Sequence, residues 1–292
     1  MIFEGNSMGE KHYDSKTLNQ LQKIEKTMFR DFIALCEKHD IKYFVIAGTA
    51  IGTMRDHDMI PWDDDIDVGM LRRDYEKFLK IAPKELGKKY LVNGPDTPRP
   101  YYNLIPNLSL KGTRFIIDLA KDRFEIGIFM DIFVFENIPD DPVKAEKLIR
   151  KTQRLHDLYV LSNIDYFRFV KDVEFVKKLR YLLCGCVHRG LKVSRLSPEK
   201  IYRRYKKLVL QYTGKTNTYT ILGDPAARLC IIRKKDLFPL KKAMFGDIEV
   251  SIVNDCDKML KTRFGDYMQV PPPEKRINHS PEILDFGKYA DN

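Results

Sequence analysis

Residues 47–70 read AGTAIGTMRDHDMIPWDDDIDVGM, and the end of this stretch decides the expected fold because it has the pattern of a strand. Residues two apart on a strand point to the same side. Asp65 and Asp67 are therefore expected to project together, while Ile66 and Val68 face the core. Two neighbouring carboxylates repel each other in a partly buried site unless a divalent cation lies between them, and carboxylate oxygens suit Mg²⁺ or Mn²⁺. The pattern predicts a Mg²⁺ (or Mn²⁺) site held by Asp65 and Asp67.

A glycine–threonine turn stands at the start of the same stretch. Residues 41–47 form an apolar run that predicts a buried strand ending at Gly48 and Thr49, and residues 49–55 predict a short helix after it. Backbone N–H groups at such a turn attract anions, so Gly48 would let a phosphate approach closely and Thr49 would donate a hydroxyl hydrogen bond. A turn or an acid cluster alone says little. The two in this order, about fifteen residues apart, predict a metal-dependent enzyme that handles phosphate.

The remaining pattern predicts a mixed α/β protein. Residues 18–39 and 71–82 have apolar side chains at helical spacing, and residues 124–135 (FEIGIFMDIFVF) have the pattern of a buried strand or hairpin. The chain is helical in pattern for about sixty residues after Pro142, and residues 236–279 combine short strands with one helix. The composition, with 43% hydrophobic and 11% aromatic residues, is that of a folded domain rather than a disordered chain.

The net charge of +10 is concentrated in one segment. Residues 141–215 contain 19 Lys and Arg against 7 Asp and Glu, and the rest of the chain is slightly acidic. This excess predicts either a solvated face of surface helices or a polyanionic partner. For the second alternative, apolar residues beside cations predict helices that rest on an anionic membrane face without crossing it. The cations concerned are Lys177, Lys178, Arg180, Arg203, Arg204, Lys206 and Lys207.

Three further features bear on the compartment. The five cysteines lack the paired spacing of a zinc site, and residues 1–11 lack the pattern of a signal peptide. No stretch approaches the roughly 18 apolar residues that span a bilayer. We therefore expect reduced cysteines and a cytoplasmic protein, peripheral at the inner face of the cell membrane if the basic segment binds lipid.

The run IPWDDDID at residues 60–67 resembles the signature of the LicD family, relatives of fukutin and fukutin-related protein in the nucleotidyltransferase superfamily. That superfamily combines a glycine-rich turn with a later Asp–apolar–Asp, and this chain has both. The resemblance implies an α/β fold with a nucleotidyltransferase-like mixed β-sheet flanked by helices, to which the sequence pattern adds a basic helical insertion. Residues 12–140 would form the catalytic core, residues 141–215 the basic helical segment, and residues 216–292 would complete the core.

Two other blocks are similar to the family and add candidate site residues. MDIF at residues 130–133 resembles the strand that carries a third acid, so Asp131 would join Asp65 and Asp67 at the metal or act as a base. FGDYM at residues 264–268, followed by prolines, Arg276 and His279, resembles the family's C-terminal element. The resemblance gives Arg276 and His279 a role in binding the donor.

Two residues near the acids have alternative roles. Arg55 would contact the donor phosphate or lie solvated in a loop. Trp62, the single tryptophan, would stack on a base or on a choline ammonium, or serve only in packing. Together with Gly48, Thr49, Arg276 and His279, they complete the predicted donor site.

Family members pass phosphocholine from CDP-choline, or polyol phosphate from a CDP-polyol, to a hydroxyl of a cell-surface glycan such as teichoic acid or lipopolysaccharide. The resemblance therefore implies a Mg²⁺-dependent phosphotransferase with a free or lipid-linked glycan acceptor. We expect CDP-choline to be preferred because Trp62, Tyr101 and Tyr102 suit a quaternary ammonium. The alternatives are nucleotidyl transfer to a small molecule or RNA end, and a non-catalytic module whose acids hold a structural metal. The chain lacks an RRM or KH signature, so we expect no nucleic-acid partner.

Overall fold

A computed structural model describes residues 13–117, 124–170, 174–194, 196–276, 278 and 280–290. The helices are α1 (Ser15–Lys38), α2 (Ala47–Ile51), α3 (Arg72–Glu85), α4 (Pro142–Asn163), α5 (Phe175–Val193), α6 (Pro198–Val209), α7 (Lys234–Leu237) and α8 (Cys256–Phe264). The strands are β1 (Phe44–Val45), β2 (Asp67–Leu71), β3 (Tyr90–Asn93), β4 (Asn107–Leu110), β5 (Arg114–Ile116), β6 (Phe129–Ile138), β7 (Thr218–Thr220), β8 (Ile232–Arg233), β9 (Lys241–Phe245), β10 (Ile248–Ile252) and β11 (Ile283–Asp285).

The central sheet is mixed, as the sequence predicts. Within the described part of the chain it has seven strands, in the order β1–β2–β6–β4–β3, with β7 beside β6 and β8 beside β7. The pair β2–β6 is parallel and the other pairs are antiparallel. Two small antiparallel pairs, β9–β10 and β5–β11, lie outside this sheet. The α/β class is confirmed.

The parallel pair β2–β6 is held in place by close packing of rings over a glycine. A side chain at Gly69 would bring its Cβ within 2.4 Å of the Phe44 ring, so only glycine lets that ring cross β2. Phe44 then meets Phe135 of β6 with ring centroids 5.1 Å apart. This packing fixes the two strands that begin near Asp67 and Asp131.

Helix α1 covers the sheet with one apolar stripe. Its N-cap is Asp14, which accepts a hydrogen bond of 2.9 Å from the backbone N–H of Thr17. The stripe recurs at helical spacing and is almost fully buried at Leu21, Met28, Phe29 and Phe32. Glu25 lies on the same side of the helix, which places a carboxyl group in the core.

Most predicted elements form, and two differ in extent. The strand expected at residues 41–47 is only Phe44–Val45, because the chain turns into α2 at Ala47, whose φ is +47°. The strand or hairpin expected at residues 124–135 is a single strand, Phe129–Ile138. It continues beyond the apolar run because β7 supplies a partner for its last residues.

The basic segment forms three helices, α4 to α6, between β6 and β7. Their buried side chains make apolar clusters separate from the main core. None of the helices traced here combines the length and the apolarity needed to cross a bilayer.

A buried ion network joins this segment to the core. Arg72 donates to Glu136, with Nε 3.0 Å from Oε1, and its Nη1 lies 3.3 Å from Asp96 Oδ2. On α6, Lys206 lies 2.5 Å from Asp96 Oδ1. Lys206 was predicted to face an anionic surface, but the structure pairs it with Asp96 of the core. An ion pair with a buried carboxylate is more favourable for Lys206 than attraction to a distant anionic surface.

Candidate active site

Two predicted acids lie side by side on the parallel strands. Asp67 of β2 is in register with Asp131 of β6, so their backbones are about 4.8 Å apart. The N–H of Asp131 donates to the carbonyl of Ile66 at 3.0 Å, which fixes the register at this point. Asp67 is 8% exposed, and Asp131 is half-buried. The structure therefore places Asp131 beside Asp67, and its predicted role as a metal ligand or base stays a prediction.

The preceding acids form a tight cluster. Carboxylate oxygens of Asp63, Asp64 and Asp65 lie within 4.8 Å of one another, the one such trio found among the residues described. Asp64 is buried at 1% exposure and accepts a 2.8 Å hydrogen bond from the hydroxyl of Tyr13. Asp65 is thus part of a close carboxylate cluster. Asp67, two residues further along the chain, is in register with Asp131 of β6. The three-residue metal set Asp65, Asp67 and Asp131 stays a prediction.

Glu25 is a member of this region that the sequence interpretation missed. It is 1% exposed on α1, and burial raises its pKa well above the ordinary value. The next four causes of that rise are the negative charges of Asp64, Asp65, Asp63 and Asp67. A glutamate on the apolar stripe of an amphipathic helix was the signal in the sequence, since such a position normally holds a hydrophobic residue.

These acids fit a hard divalent cation. The Oε2 atom of Glu25 is buried and has no hydrogen-bond partner among the described atoms. The charges of Asp63, Asp64, Asp65 and Asp67 add to the effect of burial on the pKa of Glu25. Clustered carboxylate oxygens are the donor set that Mg²⁺ and Mn²⁺ prefer.

The glycine–threonine turn positions the acids directly. The buried hydroxyl of Thr49 accepts a 2.8 Å hydrogen bond from the backbone N–H of Asp67. A Cβ at Gly48 would lie 2.4 Å from Oδ2 of Asp63, so glycine is needed for that carboxylate to approach α2. The predicted phosphate contacts of Gly48 and Thr49 are untested. In the structure, Gly48 leaves room for the carboxylate of Asp63, and Thr49 holds the backbone of Asp67.

Three predicted donor residues come together although they are far apart in the chain. The guanidinium carbons of Arg55 and Arg276 lie 5.6 and 4.6 Å from the Trp62 ring centroid, within cation–π distance. Arg55 also donates to the carbonyl of Tyr267 at 3.1 Å and pairs with Asp56 at 2.9 Å. Because Trp62 directly precedes Asp63, this arginine–tryptophan stack places positive charge next to the acids. The predicted donor residue His279 lies outside the described residues.

A separate aromatic cluster lies beside Asp131. The rings of Tyr101 and Tyr102 are 4.5 Å apart, and Phe124 completes the group at 6.1 and 6.4 Å. Burial first, and then the charge of Asp131, raise the pKa of Tyr102. Of the three aromatic residues suggested for choline, the two tyrosines are therefore near Asp131. Trp62 instead has arginine side chains against its ring.

Comparisons with known proteins find one matching family and several similar proteins. A family described as LicD/FKTN/FKRP, nucleotidyltransferase domain, matches residues 40–154. The lipopolysaccharide cholinephosphotransferase LicD of Haemophilus influenzae is 27% identical over 270 residues, which cover 90% of this chain and 96% of that protein. An uncharacterized protein of Rickettsia typhi is 39% identical over 68 residues, 23% of this chain and 22% of its own. One of Rickettsia prowazekii is 28% identical over 113 residues, 39% of each.

Proposed function

Because this chain belongs to the LicD family, we propose that it is a phosphotransferase that moves phosphocholine from a CDP-activated donor to a hydroxyl of a cell-surface glycan. The observation that carries the proposal is the pairing of Asp67 with Asp131 on parallel strands, next to the cluster Asp63 to Asp65. The cholinephosphotransferase match extends over most of both chains, which supports the choice of phosphocholine over another group. Lipopolysaccharide is the acceptor class that this relative's name supports.

Asp65, Asp67 and Asp131 are the residues that would hold Mg²⁺. The cation would supply charge neutralisation at the phosphoryl group and its leaving oxygen. The protein's own part is to keep these carboxylates oriented before the substrate arrives. The hydrogen bond from the N–H of Asp67 to Thr49 and the ladder bond from the N–H of Asp131 to Ile66 fix the backbone from which two of these carboxylates project.

Asp131 would also accept the proton of the attacking hydroxyl. An alcohol is too weak an acid to attack at neutral pH without a base within hydrogen-bond reach. Asp131 is half-buried, so an acceptor hydroxyl has access to it, whereas Asp64 is closed off by Tyr13. Tyr101 is buried against Tyr102, so the half-buried Tyr102 is the ring of this pair that a quaternary ammonium would meet.

Arg55 and Arg276 would bind the diphosphate of the donor. Guanidinium groups make paired hydrogen bonds to phosphate, and here two of them share one indole ring. The tryptophan thereby serves to orient cations of the protein rather than the choline. Release of CMP would follow transfer of the phosphocholine group from the donor.

The test is CMP release from CDP-choline, CDP-ribitol and CDP-glycerol, each with Mg²⁺ and a lipopolysaccharide acceptor. We expect CDP-choline to be used fastest, with phosphocholine recovered on the glycan. Preference for a polyol donor would refute the choline assignment. Absence of CMP release from every donor would refute the transferase itself.

A further inference from the structure

Helix α5 has an outward face that is almost entirely apolar. Its exposed hydrophobic side chains include Phe175, Val176, Leu179, Leu182, Leu183 and Val187. Four of these are more than half exposed: Phe175 at 80%, Val176 at 79%, Leu183 at 60% and Leu179 at 52%. Single exposed hydrophobic residues are ordinary, but a continuous apolar face on one helix marks an interaction surface.

The opposite face of α5 is firmly docked on the protein. Tyr181 and Cys184 are buried in an apolar cluster with the end of α4, and buried His188 contacts the carbonyl of Leu161 through Nδ1 at 2.7 Å. A Cβ at Gly185 would lie 2.4 Å from the Phe167 ring, so the helix sits close to its support. The helix is therefore held in one orientation, with its apolar face turned outward.

Cations line both borders of this apolar face. At 3.6 residues per turn, one border carries Lys178 and Arg189, with the exposed Lys192 in the last turn, and the other border carries Arg180. Over residues 174–194 the one acidic side chain is Glu174, at the N-cap. A polar rim of a single sign selects for a partner of the opposite sign.

We propose that α5 is the site where this protein docks on an anionic lipid surface, with its apolar face in the headgroup region and its cations on lipid phosphates. A helix of this kind lies in the plane of the interface, about 5–10 Å into the boundary between headgroups and acyl chains. A second copy of the chain fits less well, because pairing through this face would bring the two cationic rims together. The inference does not depend on the transfer reaction, since lipid binding is measured without donor or acceptor.

The experiment is co-sedimentation of the full chain with vesicles of phosphatidylcholine, with and without phosphatidylglycerol. The wild type should bind only the phosphatidylglycerol vesicles and should be released by salt. Leu179→Ser/Leu183→Ser should weaken binding at least about tenfold. Lys178→Glu/Arg189→Glu/Lys192→Glu should weaken it on the order of 100-fold.

Matched controls separate this site from general attraction to charge. Arg203→Glu/Arg204→Glu/Lys207→Glu makes the same charge change on exposed positions of α6, whose apolar side chains are buried. Val143→Ser/Met244→Ser removes two exposed apolar side chains elsewhere, 63% and 50% exposed. Both controls should keep most of the binding, and thermal unfolding verifies that each variant is folded.

Three results would overturn the proposal. The first is no binding of the wild type to phosphatidylglycerol vesicles. The second is equal loss of binding in the α5 and α6 charge variants, which would indicate attraction to net charge alone. The third is a dimer, seen by analytical ultracentrifugation without vesicles, that Leu179→Ser/Leu183→Ser dissociates, which would make α5 a contact between copies. Loss of vesicle binding in the α5 variants but not in the controls supports it.

Discussion

Glu25 on α1 and Glu136 on β6 are both about 1% exposed, but the charges around them have opposite signs. The carboxyl of Glu136 accepts hydrogen bonds from Arg72, whose charge opposes the rise that burial gives to the pKa of Glu136. After burial, the strongest influences on Glu25 are four aspartates that raise its pKa further. One carboxyl is stabilised by a neighbour within the chain, and the other lies in a region of concentrated negative charge.

This difference separates a structural ion network from a site built for a cation. Burial of a charge is tolerated when a partner of opposite charge and hydrogen bonds accompany it, as at Arg72 and Glu136. Grouped carboxylates near Asp67 instead store electrostatic repulsion that an added divalent cation relieves. Strand β6 belongs to both regions, with Asp131 near its start and Glu136 near its end.

The largest expected effect is loss of transfer in the acidic region. Asp65→Ala and Asp67→Ala should each lower CMP release on the order of 10³-fold, because each removes a carboxylate that would hold the cation at the transferring phosphoryl group. Folding stability should be unchanged or slightly higher, since one of several repelling carboxylates is gone. Asp247→Ala, which removes an exposed carboxylate paired with Arg30, is the matched control and should leave CMP release unchanged. Near-normal turnover of either site variant with Mg²⁺ would remove these residues from the metal site.

The next largest effect is loss of stability in the structural network. Arg72→Met should lower the free energy of unfolding by about 3–5 kcal/mol, because Glu136 is left buried without its guanidinium. The loss should shrink toward low pH: a folded-state pKa above the unfolded value gives stability that is present below the unfolded pKa and lost as pH rises through the folded pKa. Urea unfolding at several pH values measures this.

Arg30→Met is the control for that variant. Arg30 and Asp247 form a surface pair whose side chains are 44% and 75% exposed, so its loss should cost no more than about 1 kcal/mol. Equal destabilisation by the Arg72 and Arg30 substitutions would contradict the distinction between a buried and an exposed ion pair.

A smaller effect is expected at the other end of β6. Asp131→Asn keeps the shape of the side chain but removes its basicity, so kcat should fall about 10²-fold while KM for CDP-choline changes little. Steady-state kinetics with saturating acceptor measures the split. A defect confined to KM would indicate that Asp131 binds the donor or metal and does not take the proton.

The smallest effect concerns Glu25 in a chelating buffer. Because the pKa of Glu25 is raised, the folded wild type keeps a proton on this carboxyl that the unfolded chain releases. The free energy of unfolding of the wild type should therefore fall as pH rises through the folded-state pKa. Glu25→Gln should remove the part of this pH dependence that Glu25 causes, because glutamine does not ionise. Thermal unfolding in EDTA at a series of pH values tests it. Stability of the wild type that is flat from about pH 5 to pH 8 would speak against the effect.

Local pattern predicted much of the fold, and long-range contacts decided the rest. The helix expected at residues 18–39 is Ser15–Lys38, because hydrophobic spacing is a local property. The strand expected to carry both Asp65 and Asp67 begins only at Asp67, so Asp65 lies before it. The sequence also nominated Trp62 and Arg276 for one site. Their side chains are in contact because the C-terminal part of the chain folds back onto the region of Trp62, and no local pattern predicts this.

Partners across the fold explain what was missed. Lys206 has the local setting of a surface cation, and only the approach of Asp96 from the core gives it a buried partner. Glu25 lies at a core position of its helix, but only the folded structure shows that aspartates from another part of the chain lie near it. The positions of charged residues are harder to predict than those of apolar residues. The free-energy cost of burying a charge depends on the oppositely charged partner that the fold brings next to it.

The contact between Lys206 and Asp96 has a consequence for protein engineering. Residues 141–215 form helices of their own, so a chimera would exchange them with those of a relative as a block. Such a graft would place a foreign side chain opposite Asp96, and Asp96 shares Arg72 with Glu136. A working exchange must therefore transfer the residues at positions 72, 96 and 136 with the helices, so the smallest portable unit of this protein is discontinuous in the chain.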